Sequence, residues 1–328
     1  MNRVWLSSLA AFLLFFCPGQ AFAQSQKTNF FLPQNPAAAA YILGRLSNQE
    51  LIAAPRSEFV YVALLKRAGL ERKYRLEALD GLATLRHTDR LSELLSALSA
   101  LDKNGEDSAG PMRDLLPILL QSSPAELAAK RAELEKLAVE SQLALTRQIA
   151  YAALITADHS IEPAWKQAKP EHLADLILAI PLIRDPGLRG EFYSKLEPLV
   201  RNAETSEVRR AAITAIVAVP DHGAETFRML AALVEAGTER AAAIASLQRI
   251  PRKDWPKESV PRLVTSLMDY LQNVPPSQRT DADFLSALQF ATDLAPLLPE
   301  GQGPAIAKTL RGLGPALVVL RTVYEQMR

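Results

Sequence analysis

At 328 residues, 48% of them apolar, the chain can bury a large core and has the length for two domains or one extended array. Aromatics make up only 6%, so a core of Ala, Leu, Val and Ile is expected, which suits close helix stacking. With 37 Lys+Arg against 36 Asp+Glu the net charge is +1, which excludes a global field drawing the chain to nucleic acid or anionic lipid.

Residues 1–23 read as a secretory signal peptide. Arg3 gives the positive start, 4–16 is an almost unbroken apolar run, Pro18 and Gly19 break it, and Ala21-Phe22-Ala23 offers small residues for cleavage before Gln24. The run falls short of the ~20 residues a membrane anchor needs. A lipoprotein would carry a small residue before its cysteine, and Phe16 stands before Cys17. The expected product is exported, periplasmic or secreted, with no integral membrane segment after processing. Cys17 is the only cysteine, so the processed chain has no disulfide, thiolate metal site, CxxCH haem attachment or cysteine nucleophile. Loss of Arg3 leaves 36 cations against 36 anions.

The lead-in 24–36 has two prolines and no helical period and is expected to be extended. Its triplet Phe30, Phe31 and Leu32 reads either as a partner-docking motif or, as such clusters more often do, as packing onto the first helices. Helical pattern starts near Ala37. Ser57 is placed to cap 58–68, Glu58 suits the first turn and Gly69 the end. Next come 72–85 and 91–101, then a polar stretch, 102–110, read as a solvated loop whose acids fit no EF-hand spacing. Further helices are expected at 124–140, 143–157, 171–183, 186–200, 206–219 with Ser206 as its cap, 224–236, 238–248, 258–272, 282–298 and 303–317. Pro117, Pro181, Pro198 and Pro296 fall inside apolar runs and predict bends. Trp255, between prolines, reads as a plug at the edge of a helix pair rather than a ligand platform. Residues 316–324 favour a strand yet no earlier strand can pair with them, so 318–328 reads as a β-prone tail and the possible start of a missing domain.

One frame recurs along these helices. From Arg209 it places Ala212, Ile213 and Ile216 on a single face; from Arg75, Ala78, Leu79 and Leu82; from Arg147, Ala150, Tyr151 and Leu154; from Arg240, Ala243, Ile244 and Leu247. A looser copy runs from Arg189 through Phe192, Tyr193 and Leu196. Self-similarity of this kind, without strand signals inside the units, predicts stacked helical pairs. The arginines Arg75, Arg147, Arg209 and Arg240 sit at the edge of the buried face. They read as a structural ladder holding carboxylates or carbonyls of adjacent repeats, with an acid-binding concave wall as the rival reading.

The stretch SEVRRAAITAIVAV resembles a HEAT repeat helix, and residues 37–317 resemble a HEAT-like α-solenoid, an ARM-type fold. The stretches NPAAAAYILGRLSNQELIAAPRSEFVYVALLKRAGLERKYRLEAL and LRTVYEQMR are similar to secreted bacterial proteins in which such a solenoid continues into an azurin- or plastocyanin-like type I copper domain. That resemblance implies an electron-transfer domain following the solenoid. Tyr324 departs from the Pro of that pattern, and the sequence reaches Arg328 before any His, Cys or Met ligand set, so no copper ligand is carried over.

Enzyme motifs are missing: there is no GxSxG, HExxH, Ser-x-x-Lys or GxxxxGK[ST], and Ile306 occupies the third-glycine place after Gly301 and Gly303. His87, His159, His172 and His222 are scattered, three of them near helix ends, and none pair at metal-binding spacing. Glu133 with Glu135, and Asp281 with Asp283, point to different sides of a helix and make poor acid–base pairs. The sequence thus predicts an all-α, HEAT-like superhelix with no catalytic, metal or cofactor site, acting as a non-enzymatic scaffold for a protein partner. The alternatives are the solenoid portion of a type I copper electron-transfer protein and, less favoured, a helical hydrolase.

Overall fold

The computed structural model describes residues 32–313, which are helices, short 3-10 turns and connections, with no strand among them. The leader, Phe30, Phe31 and the β-prone tail lie outside the described residues. Leu32, the last member of the apolar triplet, is half-buried against the core.

Local chemistry sets the first helices. Asn35 caps α1 (Pro36–Arg45), a Ser47–Glu50 capping box opens α2 (Asn48–Ala53), and Ser57 accepts from the Val60 amide to start α3 (Glu58–Lys66). The 72–85 copy of the frame forms α4 (Arg72–Arg86), and Asp89 caps α5 (Arg90–Asp102). Here the loop expectation fails in part. Asp102 is not a solvated turn residue but the buried last residue of α5, and α6 (Ala109–Leu119) already begins at Ala109.

The segment expected to be one helix at 124–140 is two, α7 (Pro124–Ala129) and α8 (Arg131–Glu140), broken at Lys130 (φ −110°, ψ 22°). Next are α9 (Ala144–Asp158), α10 (Glu162–Gln167) and α11 (Leu173–Ala179). The 186–200 helix likewise divides into α12 (Pro186–Gly190) and α13 (Tyr193–Asn202). In α14 (Ser206–Ile216) the cap is Thr205, whose hydroxyl accepts from Val208; Ser206 instead bonds Glu239. The remaining helices are α15 (Gly223–Ala236), α16 (Arg240–Leu247), α17 (Val260–Asn273), α18 (Ala282–Leu294) and α19 (Gln302–Leu313). Helix runs through Pro117 and Pro198, whereas Pro181 and Pro296 fall where helix tightens into 3-10 turns at Ile180–Leu182 and Ala295–Leu297.

The repeated frame is the packing seam. Every apolar position read from Arg75, Arg147, Arg209 and Arg240 is buried, from Ala78 through Leu247. Each leucine or isoleucine among them contributes about 2 kcal/mol of transfer free energy on leaving water, and each alanine less than about 1 kcal/mol. In the looser copy Phe192 and Leu196 are buried, and Tyr193 is half-buried. The Arg75 seam lies on α4, which packs on α3 and α5. The other three seam helices belong to one succession, in which α9 packs on α11, α11 on α14, α14 on α16 and α16 on α18. Behind them α8 backs α9, α13 backs α14, α15 backs α16 and α17 backs α18, with α15, α17 and α19 in contact in their own order. Trp255 fills the joint between units: it is 8% exposed, its ring centroid lies 5.5 Å from Phe227 and 5.6 Å from Phe290, and its Nε1–H donates to the Ile250 carbonyl at 2.9 Å.

Candidate functional site

A helix ends with carbonyls that have no intrahelical donor, carrying partial negative charge, and a cation placed there answers both needs. The recurrent arginines stand at such ends. Arg147, in the first turn of α9, donates to the carbonyls of Ser141 and Gln142 at 2.7 and 2.9 Å, just past α8. Arg189 holds the carbonyls of Ile183 and Arg184 at 2.6 and 3.1 Å, and that of Ala218 at 2.9 Å. Arg209 reaches the Ala203 carbonyl at 3.2 Å, past α13, and Arg240 that of Val234 at 3.3 Å, in α15. In four of these bonds the acceptor lies six residues upstream of the arginine.

Two of the arginines also pair with acids. Arg75, with no exposed surface, donates to the Leu65 and Arg67 carbonyls at 2.8 and 2.7 Å and to the Asp114 carboxylate at 2.5 Å. Burial lowers the pKa of that guanidinium and the Asp114 charge opposes the shift, so the side chain remains a cation. Arg147 Nε donates to Asp175 at 2.6 Å. Burial, then the Asp175 charge, raises the pKa of the nearby Tyr151 phenol. Among the described residues Arg240 pairs with no acid, and it lies 4.4 Å from the Tyr270 ring centroid. The arginines are therefore distributed along successive joints and do not converge on one centre.

The histidines do not converge either. His87 and His159 end α4 and α9 in the left-handed conformation, and His222 stacks on Tyr193 with centroids 3.6 Å apart. Among the described residues no group of three His, Cys, Asp or Glu is placed to hold a metal ion. Nor is any described helix long and apolar enough to cross a membrane.

What the succession of helices does present is a shallow surface. Where α9, α11 and α14 meet, a depression of about 410 Å³ has Ala144, Ala174, Leu178 and Ala211 in its lining and Arg210 and Glu207 beside them. Farther along, Ala241 and Ala245 on α16 are exposed, as is Leu285 on α18. Sequence reasoning missed the acids that receive the arginines, Asp114 and Asp175, because they lie 39 and 28 residues downstream. An acid about one repeat after Arg75 and after Arg147 was the available signal. Comparison with protein-family models, with curated proteins and with solved structures returns no match.

Proposed function

We propose that the chain is an exported, non-enzymatic interaction scaffold of the HEAT-like solenoid type, and that the row α9, α11, α14, α16, α18 is the surface on which a protein partner docks. The observation that carries this reading is the ordered helix-on-helix row, whose depression mixes small residues (Ala144, Ala174, Ala211) with the opposed charges of Glu207, Asp175 and Arg210, while the framed arginines Arg147, Arg209 and Arg240 are committed to helix ends. Small side chains let a partner backbone come close, and a face without a strong field selects by shape.

Two measurements test it. A compact domain of this length has a radius of gyration of about 20 Å; a solenoid gives a clearly larger value in solution scattering, and a value near 20 Å removes the solenoid. Capture from an envelope extract is then compared between the unaltered chain, the row variant Ala245→Arg with Leu285→Arg, and Lys73→Glu on α4, which is not a row helix. A partner retained by the first and third and lost by the second supports the reading. Equal retention by all three overturns it.

A further inference from the structure

Helix α1 carries a single ionic side chain, Arg45 in its last turn, and its exposed residues before that are Pro36, Ala37, Ala40, Tyr41 and Gly44, with Tyr41 66% exposed. A helix that meets water along one side carries polar residues there, and one that is apolar all round is covered all round. The inner side is accounted for, since Ala39 and Leu43 are buried and α1 packs on α3. The outer side has no such cover among the described residues.

Beside that outer side runs a groove, with Pro36, Ala40 and Gly44 of α1 on one wall and Phe59, Val62 and Ala63 of α3 on the other. The three α3 side chains are only half-buried, so each still presents apolar surface to an occupant. Arg67, just past α3, donates to the Leu46 and Leu43 carbonyls at 2.7 and 2.8 Å, which ties the C-terminal ends of the two helices together and fixes the walls. The rim charges are engaged: Arg67 by those carbonyls, and Arg86 by Glu58 at 2.7 Å. The groove therefore favours an apolar, weakly charged occupant.

We propose that the occupant is the chain's own lead-in, residues 24–31, with the rings of Phe30 and Phe31 seated on Phe59, Val62 and Ala63, so that the first helix is closed on the side where no earlier helix precedes it. Three observations choose this segment. Leu32 and Pro33 are half-buried and Leu32 packs against the core, so the chain already lies on the helical body at the point where it runs back toward Phe31. Its reach is sufficient. Phe31 stands five residues before Pro36, which an extended chain covers in about 17 Å, whereas the groove from Pro36 to Gly44 is eight residues of helix, about 12 Å. Finally, 24–31 carries one charge, Lys27, and ends in two aromatic rings, which find in Phe59 a ring to pack against. The groove lies apart from the row face, on other helices.

The test reads chymotrypsin cleavage of the full chain at the Phe30–Phe31 and Phe31–Leu32 bonds, followed by mass spectrometry, against the same bonds in a free peptide of residues 24–33. A seated segment is expected to be cut about tenfold more slowly than the peptide, because cleavage then waits on the small population in which it has lifted off. Gly44→Leu blocks the groove without disturbing the body, since a Cβ at Gly44 meets nothing within 4 Å and leucine is a better helix former. It is expected to bring cleavage to within about twofold of the peptide rate, while Lys73→Glu leaves the protection as it was. A second readout follows the methyl resonances of Ala40, Val62 and Ala63, which the double variant Phe30→Ala with Phe31→Ala is expected to shift by removing the rings; those of Ala241 and Ala245 stay in place. Cleavage of the unaltered chain at the peptide rate overturns the proposal, leaving the two rings free for a partner. So do indifference to Gly44→Leu and unmoved methyls at the groove. Protection that disappears on roughly hundredfold dilution also overturns it, because the segment then belongs to a second copy. None of these outcomes bears on the row face, whose test reads different residues.

Discussion

Arg147 Nε donates to Asp175 at 2.6 Å while Nη1 of the same guanidinium holds the Ser141 and Gln142 carbonyls, so one side chain joins the end of α8, the start of α9 and the body of α11. The two side chains are 15% and 10% exposed. Arg147→Ala strands the carboxylate with only a 3.3 Å contact from Gln148 and leaves both carbonyls without this donor. The expected cost is about 3 kcal/mol, since stranding a nearly buried charge loses more than the pair itself contributes. Arg147→Lys recovers less than half, because an ammonium cannot reproduce the planar fork that serves three acceptors. Urea denaturation read by circular dichroism checks both variants; a loss under about 0.5 kcal/mol for Arg147→Ala refutes the joint as described.

Asp102 is the acceptor at a second joint, taking two amides and a hydroxyl from the start of α9 while ending α5. Asp102→Ala leaves those donors buried or half-buried without an acceptor, and about 3 kcal/mol is expected to be lost. Thr146→Val removes a single donor and is expected to cost about 1 kcal/mol. Amide hydrogen exchange separates the two effects. In Asp102→Ala the Gln142 and Leu143 amides lose protection; in Thr146→Val they keep it.

The seams were legible and the joints were not, for a physical reason. A buried face imposes periodicity, so the offsets from Arg209 to Ala212, Ile213 and Ile216 are written in consecutive residues that all prove buried. Capping is equally local, as Ser57 shows, although adjacent hydroxyls at Thr205 and Ser206 left two candidates and the structure uses Thr205. Lys130 carries no breaker signal. The chain departs from helix there beside tertiary partners, Lys130 Nζ lying 3.0 Å from Asp89 and Arg131 bonding Asp158. Asp102 was read as solvated because its donors begin 40 residues away.

Asp89 gives the chain a defined acid sensitivity. Its carboxylate accepts from the Ser92 hydroxyl and the Ser92 amide and pairs with Lys130, which together bring its pKa from 3.8 to about 2. A carboxyl depressed on folding stabilises the protein above its unfolded pKa, and that contribution disappears as pH falls from about 4 toward 2. Because Asp89 is 55% exposed, screening reduces it to roughly 1 kcal/mol. Asp89→Asn keeps an N-cap acceptor but cannot titrate. The stability difference between wild type and this variant is expected to be largest at neutral pH and to close by pH 2, measured by urea midpoints across that range. A constant difference refutes the assignment.

His87 and His159 terminate their helices at φ 54° and 46°, where a Cβ is crowded and glycine is not. His87→Gly and His159→Gly are each expected to raise stability by about 0.5 kcal/mol, the relief of backbone crowding being partly offset by the freer unfolded chain. The reverse exchange at Gly237, φ 75°, should do harm: an added Cβ lies 2.9 Å from Nη2 of Arg240 as well as in the wrong backbone region. Thermal melts of the three variants, with both histidine exchanges above wild type and Gly237→Ala below it, check the pair of expectations together.

Glycine in the middle of a helix is a poor choice on propensity alone, by about 1 kcal/mol against alanine. Gly81 in α4 has a packing reason, because a Cβ there would fall 2.3 Å from two ring carbons of Tyr61. The ring must leave its site on α3 before Gly81→Ala can be accommodated, and the half-buried tyrosine then loses more contact than the helix gains. A net loss of about 1 kcal/mol is expected for Gly81→Ala in the wild-type background. With Tyr61→Ala already in place the same exchange should become stabilising by up to about 1 kcal/mol, as propensity dictates once the ring is gone. A double-mutant cycle reads this as a coupling of opposite effects. If Gly81→Ala stabilises both backgrounds equally, the ring and the glycine are not in contact in solution.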